Sequence, residues 1–227
     1  MVDDLSQLRE SIDVLDDEIL KALAQRMKLS DRVVAAKNGF AAFRPGREAT
    51  LVRRLVAKVK ADGLDIAPDV VLCVWRQIMA ASLSRQGGVV TCGVHLDAMP
   101  AAAWHMGSAL LAFVDNDIAR LIEALAAGQC RYALVPARDD NNHELLNCLD
   151  QHHHLKIIAR TPLYSMQNMH PAFIIADYLP DSSGDDISLY AVGTEHGFDL
   201  VGVAGHYESV TPSSVPDGAR LIGSYAR

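Results

Sequence analysis

Two basic residues continue an apolar stripe near the start of this 227-residue chain. Apolar residues recur with spacings of three and four from Leu5 to Ala22, and the next position of that stripe is Arg26. A guanidinium in a core stripe needs an anionic partner, because burying it unpaired costs several kcal/mol. Lys37 lies 11 residues further on, which on a helix is about 20° from the same face and roughly 16 Å away. Two long cations at that spacing can close on one small dianion.

Three further polar residues extend this candidate binding set. Arg9 precedes Arg26 by 17 residues, about 25 Å along a straight helix, so it cannot reach the same small ligand from the same chain. If Arg9 contributes, it must come from another subunit. Ser82 and Gln86 are four residues apart, so on a helix they share a face and offer a hydroxyl and an amide.

Each of these residues also has a purely structural interpretation. Arg26 could pair with Glu18 or Asp31 on its own helix. Lys37 could be a cation in the last helical turn, which the helix dipole favours. Gln86 could be a solvated helix end. The combination of these residues, more than any one of them, indicates a binding site.

Three helices are expected to position these residues. Residues 2–38 contain neither Gly nor Pro and read as one helix, which Gly39 ends. Such a helix approaches about 50 Å, longer than a small globule can cover, so we expect it to pack against a second copy of the chain. A second helix is predicted from about residue 47 to 61 and a third from about 68 to 85.

The order of residues over 5–86 follows a known pattern. Its pieces are Leu8-Arg9-Glu10, Ile12-Asp13, Leu15-Asp16, Gln25-Arg26, Ala36-Lys37, Arg44-Pro45-Gly46-Arg47-Glu48 and Ile78-Met79-Ala80-Ala81-Ser82-Leu83-Ser84-Arg85-Gln86. This segment resembles the all-helical AroQ class of chorismate mutases, above all the mutase segment of bifunctional chorismate mutase–prephenate dehydratases. The resemblance implies an intertwined homodimer with two equivalent sites.

The resemblance also implies roles for the polar residues. Arg9 matches the arginine that crosses from the partner chain. Arg26 and Lys37 match residues that grip the carboxylates and the ether oxygen of chorismate, and Lys37 and Gln86 match the catalytic donors to that oxygen. Glu48 matches an acidic residue that accepts a hydrogen bond from the substrate hydroxyl.

Two positions complete the comparison with this class. Ser82 matches a polar side chain near the ring carboxylate. Leu51-Val52 stands where some members carry Arg-Glu, a departure that affects the expected turnover more than the reaction type. The reaction of this class, the rearrangement of chorismate to prephenate within one molecule, needs no nucleophile, metal or cofactor, so none is expected.

The second half of the chain has a different composition. Residues 1–87 carry 14 Lys+Arg and 12 Asp+Glu, a net charge of +2, whereas residues 88–227 carry 7 and 16, a net charge of −9, together with all nine histidines. The Gly-Gly pair at 87–88 therefore predicts a boundary between an all-α domain at 1–87 and a small α/β domain at 88–227. Alternating strand-like and helix-like segments support the α/β class.

The α/β half resembles a shortened prephenate dehydratase without its signatures. The strand Arg131–Pro136 and the C-terminal Ala219–Tyr225 resemble parts of the dehydratase and of its regulatory ACT segment. However, Ala137-Arg138-Asp139-Asp140 stands where the Glu-Asn-Ser signature is expected, and Gly93-Val94-His95-Leu96 replaces a Gly-Pro-x-Gly-Thr stretch. Only 19 residues, 155–173, stand where the dehydratase has a second lobe. We therefore expect no dehydratase activity.

Several other classes are disfavoured by the sequence. The four cysteines form no CxxC pair, and the adjacent His152-His153-His154 cannot all converge on one metal ion. The acidic second half disfavours nucleic acid. No 18-residue apolar run and no signal-peptide pattern is present, so we expect no membrane span and a cytoplasmic protein.

The resemblance thus implies a chorismate mutase, an isomerase acting on chorismate as a homodimer. Two alternatives stay open: an isochorismate-pyruvate lyase with similar cations, and a non-catalytic regulatory or binding protein. Candidate roles of residues 88–227 are stabilising the dimer, binding an aromatic amino acid effector and docking another protein.

Overall fold

A computed structural model describes residues 4–36, 43–87, 90–138, 142–164, 166, 169–195 and 197–227. The chain divides into two compact units, 1–42 and 43–227. The first unit is described by one helix, and the second contains two long helices followed by a mixed sheet with shorter helices. The predicted domain limits, 1–87 and 88–227, stay a prediction.

Helix α1 spans Leu5–Ala36 without interruption, 32 residues in all. At about 1.5 Å per residue it is about 48 Å long. Its apolar stripe is exposed in the single chain, with Leu8 46% and Ile19 64% exposed. A stripe of this kind is typical of a helix that buries its apolar face against another surface.

Helices α2 (Pro45–Ala61) and α3 (Pro68–Gly87) begin the second unit. Each starts at a proline, whose fixed φ suits the first helical turn. Gly63, with φ +62°, follows the C-terminal end of α2, a conformation that residues with a side chain rarely adopt. The two helices contact each other through a small cluster of Val52, Leu72 and Met79.

Eight strands and three α-helices follow among the residues that the structure describes. The strands are β1 (Val90–His95), β2 (Leu110–Asp115), β3 (Tyr132–Pro136), β4 (Lys156–Thr161), β5 (Ala172–Ala176), β6 (Asp186–Thr194), β7 (Gly197–Ala204) and β8 (Arg220–Ala226). The helices are α4 (Met99–Met106), α5 (Ile118–Ala126) and α6 (Asn142–Gln151). Short 3₁₀ turns flank α4 on both sides.

The strands form one sheet in the order β2-β1-β3-β5-β4-β8-β6-β7. Strands β2, β1 and β3 are parallel, whereas β5 runs antiparallel between β3 and β4. The main core lies where α5 and α6 pack on this sheet, and residues such as Leu121, Leu149 and Ile157 are fully buried there. Burial of these aliphatic side chains supplies the main favourable term in folding.

The prediction of three helices followed by an α/β domain is confirmed. The three predicted helices lie within a few residues of α1, α2 and α3, whereas the sequence did not predict α4. No helix among the described residues is both long and apolar enough to cross a membrane.

Candidate functional site

Glu48 lies in the first turn of α2. That turn is held in place by the part of the chain that follows α3 and contains the sheet, called here the sheet half. The backbone N–H groups of Gly46 and Arg47 donate to the two carboxylate oxygens of Asp181 at 3.1 and 3.0 Å. The same carboxylate forms an ion pair with Arg44 at 3.1 Å. A carboxylate at this end of a helix satisfies free N–H groups and complements the helix dipole. The orientation of Glu48 is therefore fixed by a residue far along the chain.

Arg76 on α3 is the partner of Glu48. It lies in the buried stripe of α3 between Leu72 and Met79, and only 4% of the residue is exposed. Its Nη1 donates to Oε2 of Glu48 at 2.5 Å. This is a charge-assisted hydrogen bond between a buried guanidinium and a part-buried carboxylate, a class stronger than hydrogen bonds between neutral groups.

His105 of α4 completes this cluster. Its Nδ1 is 2.8 Å from Oγ1 of Thr161, and its Nε2 is 3.9 Å from Oε2 of Glu48. Burial, and secondarily the nearby Arg76 charge, hold the pKa of His105 well below its usual value. The ring is therefore neutral at neutral pH, and its contact with Glu48 is not an ion pair.

These three side chains line one pocket of about 500 Å³, including its open mouth. Arg160 and Trp104 also line it, together with apolar residues of α2, α3 and the segment after β4. Four buried nitrogen atoms in this cluster have no hydrogen-bond partner among the described residues. They are Nε and Nη2 of Arg76, Nε1 of Trp104 and Nε2 of His105.

Two other predicted site residues lie near the end of α3. Ser82 is buried, and its hydroxyl donates to the carbonyl of Ile78 at 2.8 Å, one turn earlier in the helix. Gln86 is half-buried in the last turn. Both residues lie on α3, four residues apart, so the prediction that they share one face of a helix is confirmed.

The basic residues predicted for the site belong to α1 and to the residues after it. Arg9 is exposed and Arg26 is half-buried, and both lie on the continuous helix α1. Their separation of 17 helical residues corresponds to about 25 Å. Lys37 lies outside the described residues. The structure therefore places Glu48, Ser82 and Gln86 in one unit and Arg9 and Arg26 in the other.

The sequence analysis missed the residues that surround Glu48. Arg76 interrupts the apolar stripe of α3 just as Arg26 continues that of α1, so the same argument applied to α3 would have found it. Trp104 and His105 were missed with α4, whose sequence Met99–Met106 is short and has no clear apolar period.

Comparison with known proteins identifies the helical segment. Residues 8–87, 80 of the 227, match the family described as chorismate mutase type II. A T-protein from Enterobacter agglomerans is 32% identical over 88 residues, which are 38% of this chain and 23% of the relative. The chain thus matches under a quarter of the length of that curated relative.

Two solved structures are similar at a low level. One is a novel type of quorum quenching acylase, GqqA, with 12% identity and a TM-score of 0.44 over 60% of this chain and 95% of that one. The other is a prephenate dehydratase from Streptococcus mutans, with 13% identity and a TM-score of 0.42 over 61% and 98%. The match of residues 8–87 to the family described as chorismate mutase type II does not depend on these two structures.

Proposed function

We propose that this protein is a chorismate mutase that converts chorismate into prephenate, a step of aromatic amino acid biosynthesis. The observation that carries the proposal is the match of residues 8–87 to the chorismate mutase type II family, together with the polar residues that this segment retains. The 32% identity to a T-protein over nearly the same length supports it.

The proposed mechanism uses positioning and charge alone. The rearrangement breaks the ether C–O bond as a C–C bond forms within one molecule, so it requires no nucleophile or proton shuttle. Arg26, with Arg9 of a partner chain, holds the two carboxylates and selects the compact conformer of the substrate, which is an orientation effect. Lys37 and the amide of Gln86 donate to the ether oxygen, where negative charge develops in the transition state.

Glu48 and Ser82 have supporting roles in this proposal. Glu48 accepts a hydrogen bond from the substrate hydroxyl, and its hydrogen bond to Arg76 orients the carboxylate for that role. Ser82 lies near the ring carboxylate of the substrate. A hydroxyl that donates to its own helix still has lone pairs that can accept from water or from another donor.

The active form in this proposal is a homodimer. The exposed apolar stripe of α1 supports it, since residues such as Leu8, Ile12 and Ile19 offer a continuous surface that a second α1 could cover. The 25 Å between Arg9 and Arg26 supports it too, because one small substrate can meet both arginines only if they come from different chains.

The sheet half is proposed to lack dehydratase activity. The absence of the Glu-Asn-Ser and Gly-Pro-x-Gly-Thr signatures from the sequence supports this. The roles proposed for residues 88–227 are alternatives: stabilising the dimer, binding an aromatic amino acid, or docking another protein.

The test is chorismate consumption by the purified full chain, followed by ultraviolet absorbance with product analysis. Prephenate as the sole product is the expected result. Phenylpyruvate would show an active dehydratase. Consumption of isochorismate with pyruvate release, without turnover of chorismate, would assign the lyase reaction instead. No turnover of either compound would leave the non-catalytic binding role and overturn the proposal.

A further inference from the structure

The side chain of Arg76 has an unused edge. Glu48 occupies Nη1, while Nε and Nη2 are buried without a partner among the described residues. In a guanidinium, Nε–H and Nη2–H point the same way and form a fork that matches the two oxygens of a carboxylate. Buried donors without acceptors are rare in folded proteins, and each calls for an explanation.

Two more unpaired nitrogens belong to the same pocket. Trp104 and His105 line it beside Arg76, and the indole Nε1–H and the imidazole Nε2 are buried without a partner among the described residues. When Nδ1 of His105 accepts from the hydroxyl of Thr161, Nε2 carries the proton and becomes a donor. Three side chains of this pocket can then donate to one bound group.

The charges of the pocket indicate a single negative charge on that group. Arg76 and Arg160 contribute two positive charges and Glu48 one negative charge, so the lining carries 2 − 1 = +1. A monoanion neutralises it, whereas a dianion leaves an excess negative charge beside Glu48. Each unneutralised charge is costly where water is largely excluded.

The remaining lining indicates the rest of the ligand. Val52, Leu72, Met79 and Leu163 form an apolar wall next to these donors. Pockets with an apolar wall and a few placed polar groups suit small amphipathic molecules.

We propose that this pocket binds a small monocarboxylate with an apolar body, whose carboxylate sits on the Nε–Nη2 edge of Arg76 and accepts from Trp104 and His105. The ligand contacts α2 and α3 on one side and α4 and the segment around β4 on the other. Glu48 belongs both to this pocket and to the proposed mutase site. The proposal for the pocket does not depend on mutase activity, because its test measures ligand binding and not turnover of chorismate.

Binding is measured by titration calorimetry on the full chain, with phenylacetate as the probe. Phenylacetamide has the same shape without the charge, and phenylmalonate adds a second carboxylate. We expect saturable binding of phenylacetate and at least about tenfold weaker binding of both analogues. Arg76→Lys keeps the charge but loses the fork, so it is expected to weaken phenylacetate binding about tenfold or more. Arg54→Lys, at an exposed position of α2, is the matched control and leaves binding unchanged.

A second readout does not require a variant of Arg76. The chain has two tryptophans, so a ¹⁵N-labelled sample shows two indole N–H signals, which Trp75→Phe and Trp104→Phe variants assign. Phenylacetate is expected to shift the Trp104 signal and leave that of Trp75 in place. Absence of saturable binding, equal binding of phenylacetamide, tighter binding of phenylmalonate, or an unmoved Trp104 signal would each overturn the proposal. Inactivity toward chorismate would not affect it.

Discussion

Lys37 is the residue whose removal affects the proposed chemistry most directly. Lys37→Ala removes a charged donor to the ether oxygen, so kcat/KM for chorismate is expected to fall about 100- to 1,000-fold, as for loss of an oxyanion donor. Lys60→Ala, at an exposed position in the last turn of α2, is the control for loss of a lysine. Equal rates for wild type and Lys37→Ala in a continuous chorismate assay would exclude this residue from the mechanism.

His105 links stability to pH. Its pKa is lowered in the folded protein by burial, while in the unfolded chain it has its ordinary value of 6.5. Below about pH 6.5 the unfolded state therefore binds more protons at this site than the folded state, and stability falls as the pH falls, with a slope of up to about 1.4 kcal/mol per pH unit. Above pH 6.5 this contribution is constant.

The check is urea unfolding between pH 5 and 7. His105→Gln is expected to show a shallower loss of stability toward pH 5 than the wild type, whatever its stability at pH 7. The exposed His154→Gln keeps the wild-type slope. Parallel slopes for all three proteins would show that His105 takes up its proton in the folded state.

At the scale of elements, the start of α2 is in close contact with the segment around Asp181. A methyl group added at Gly46 would lie 2.1 Å from the carbonyl oxygen of Asp181, so the backbone must move. Gly46→Ala is therefore expected to destabilise the protein by about 1–3 kcal/mol despite the better helix propensity of alanine. Gly193→Ala in β6, where a methyl group meets no atom within 4 Å, is the control. Thermal unfolding compares the two, and equal melting temperatures would contradict this account.

Helix α1 is predicted to hold the dimer together through its apolar stripe. Leu15→Glu places a charge in the middle of that stripe and is expected to convert the dimer into a monomer, because a carboxylate buried in the seam would lack a partner. Ala24→Glu introduces the same charge on about the opposite side of the helix and is expected to leave the dimer intact. Light scattering after size exclusion gives both masses, and a dimeric Leu15→Glu protein would exclude this seam.

The elements themselves were largely predictable from the sequence, whereas their contacts were not. The 3,4 spacing of α1 and the alternation of short apolar segments are local signals, and they led to most of the helices and strands. Asp181 could not be recognised as the cap of α2, because it lies 134 residues beyond Arg47 and nothing local marks it. Helix α4 was missed for a different reason, since its three consecutive alanines give no apolar period.

At the scale of the whole molecule, the proposed sites belong to pairs of chains. Arg9→Ala and Lys37→Ala homodimers are each expected to be nearly inactive, because every site lacks one group. After subunit exchange, half of the dimers are mixed, and each mixed dimer has one intact site, so about a quarter of wild-type activity is expected to return. Recovery is measured in the chorismate assay after mixing equal amounts. No recovery, with exchange shown by a tagged subunit, would place Arg9 in the same site as Lys37 of its own chain.

The order of the strands in the sheet also could not be predicted from the sequence. Strand β5 inserts antiparallel between β3 and β4, although β4 precedes it in the chain. Each strand carries the same kind of apolar run, so its neighbours are decided by packing across the whole sheet. The two halves of the chain could be distinguished by composition, but the contacts of α2 with the segment around Asp181 could not.

The carboxylate of Asp181 at the start of α2 also has a consequence for the order of events during synthesis. A ribosome that adds about 5 to 20 residues per second needs roughly 7 to 27 seconds to pass from Arg47 to Asp181. During that interval the first turn of α2, with Glu48 in it, exists without the group that satisfies its N–H groups. The start of α2 is therefore made early, but its N–H groups gain their partner only after Asp181 has been translated.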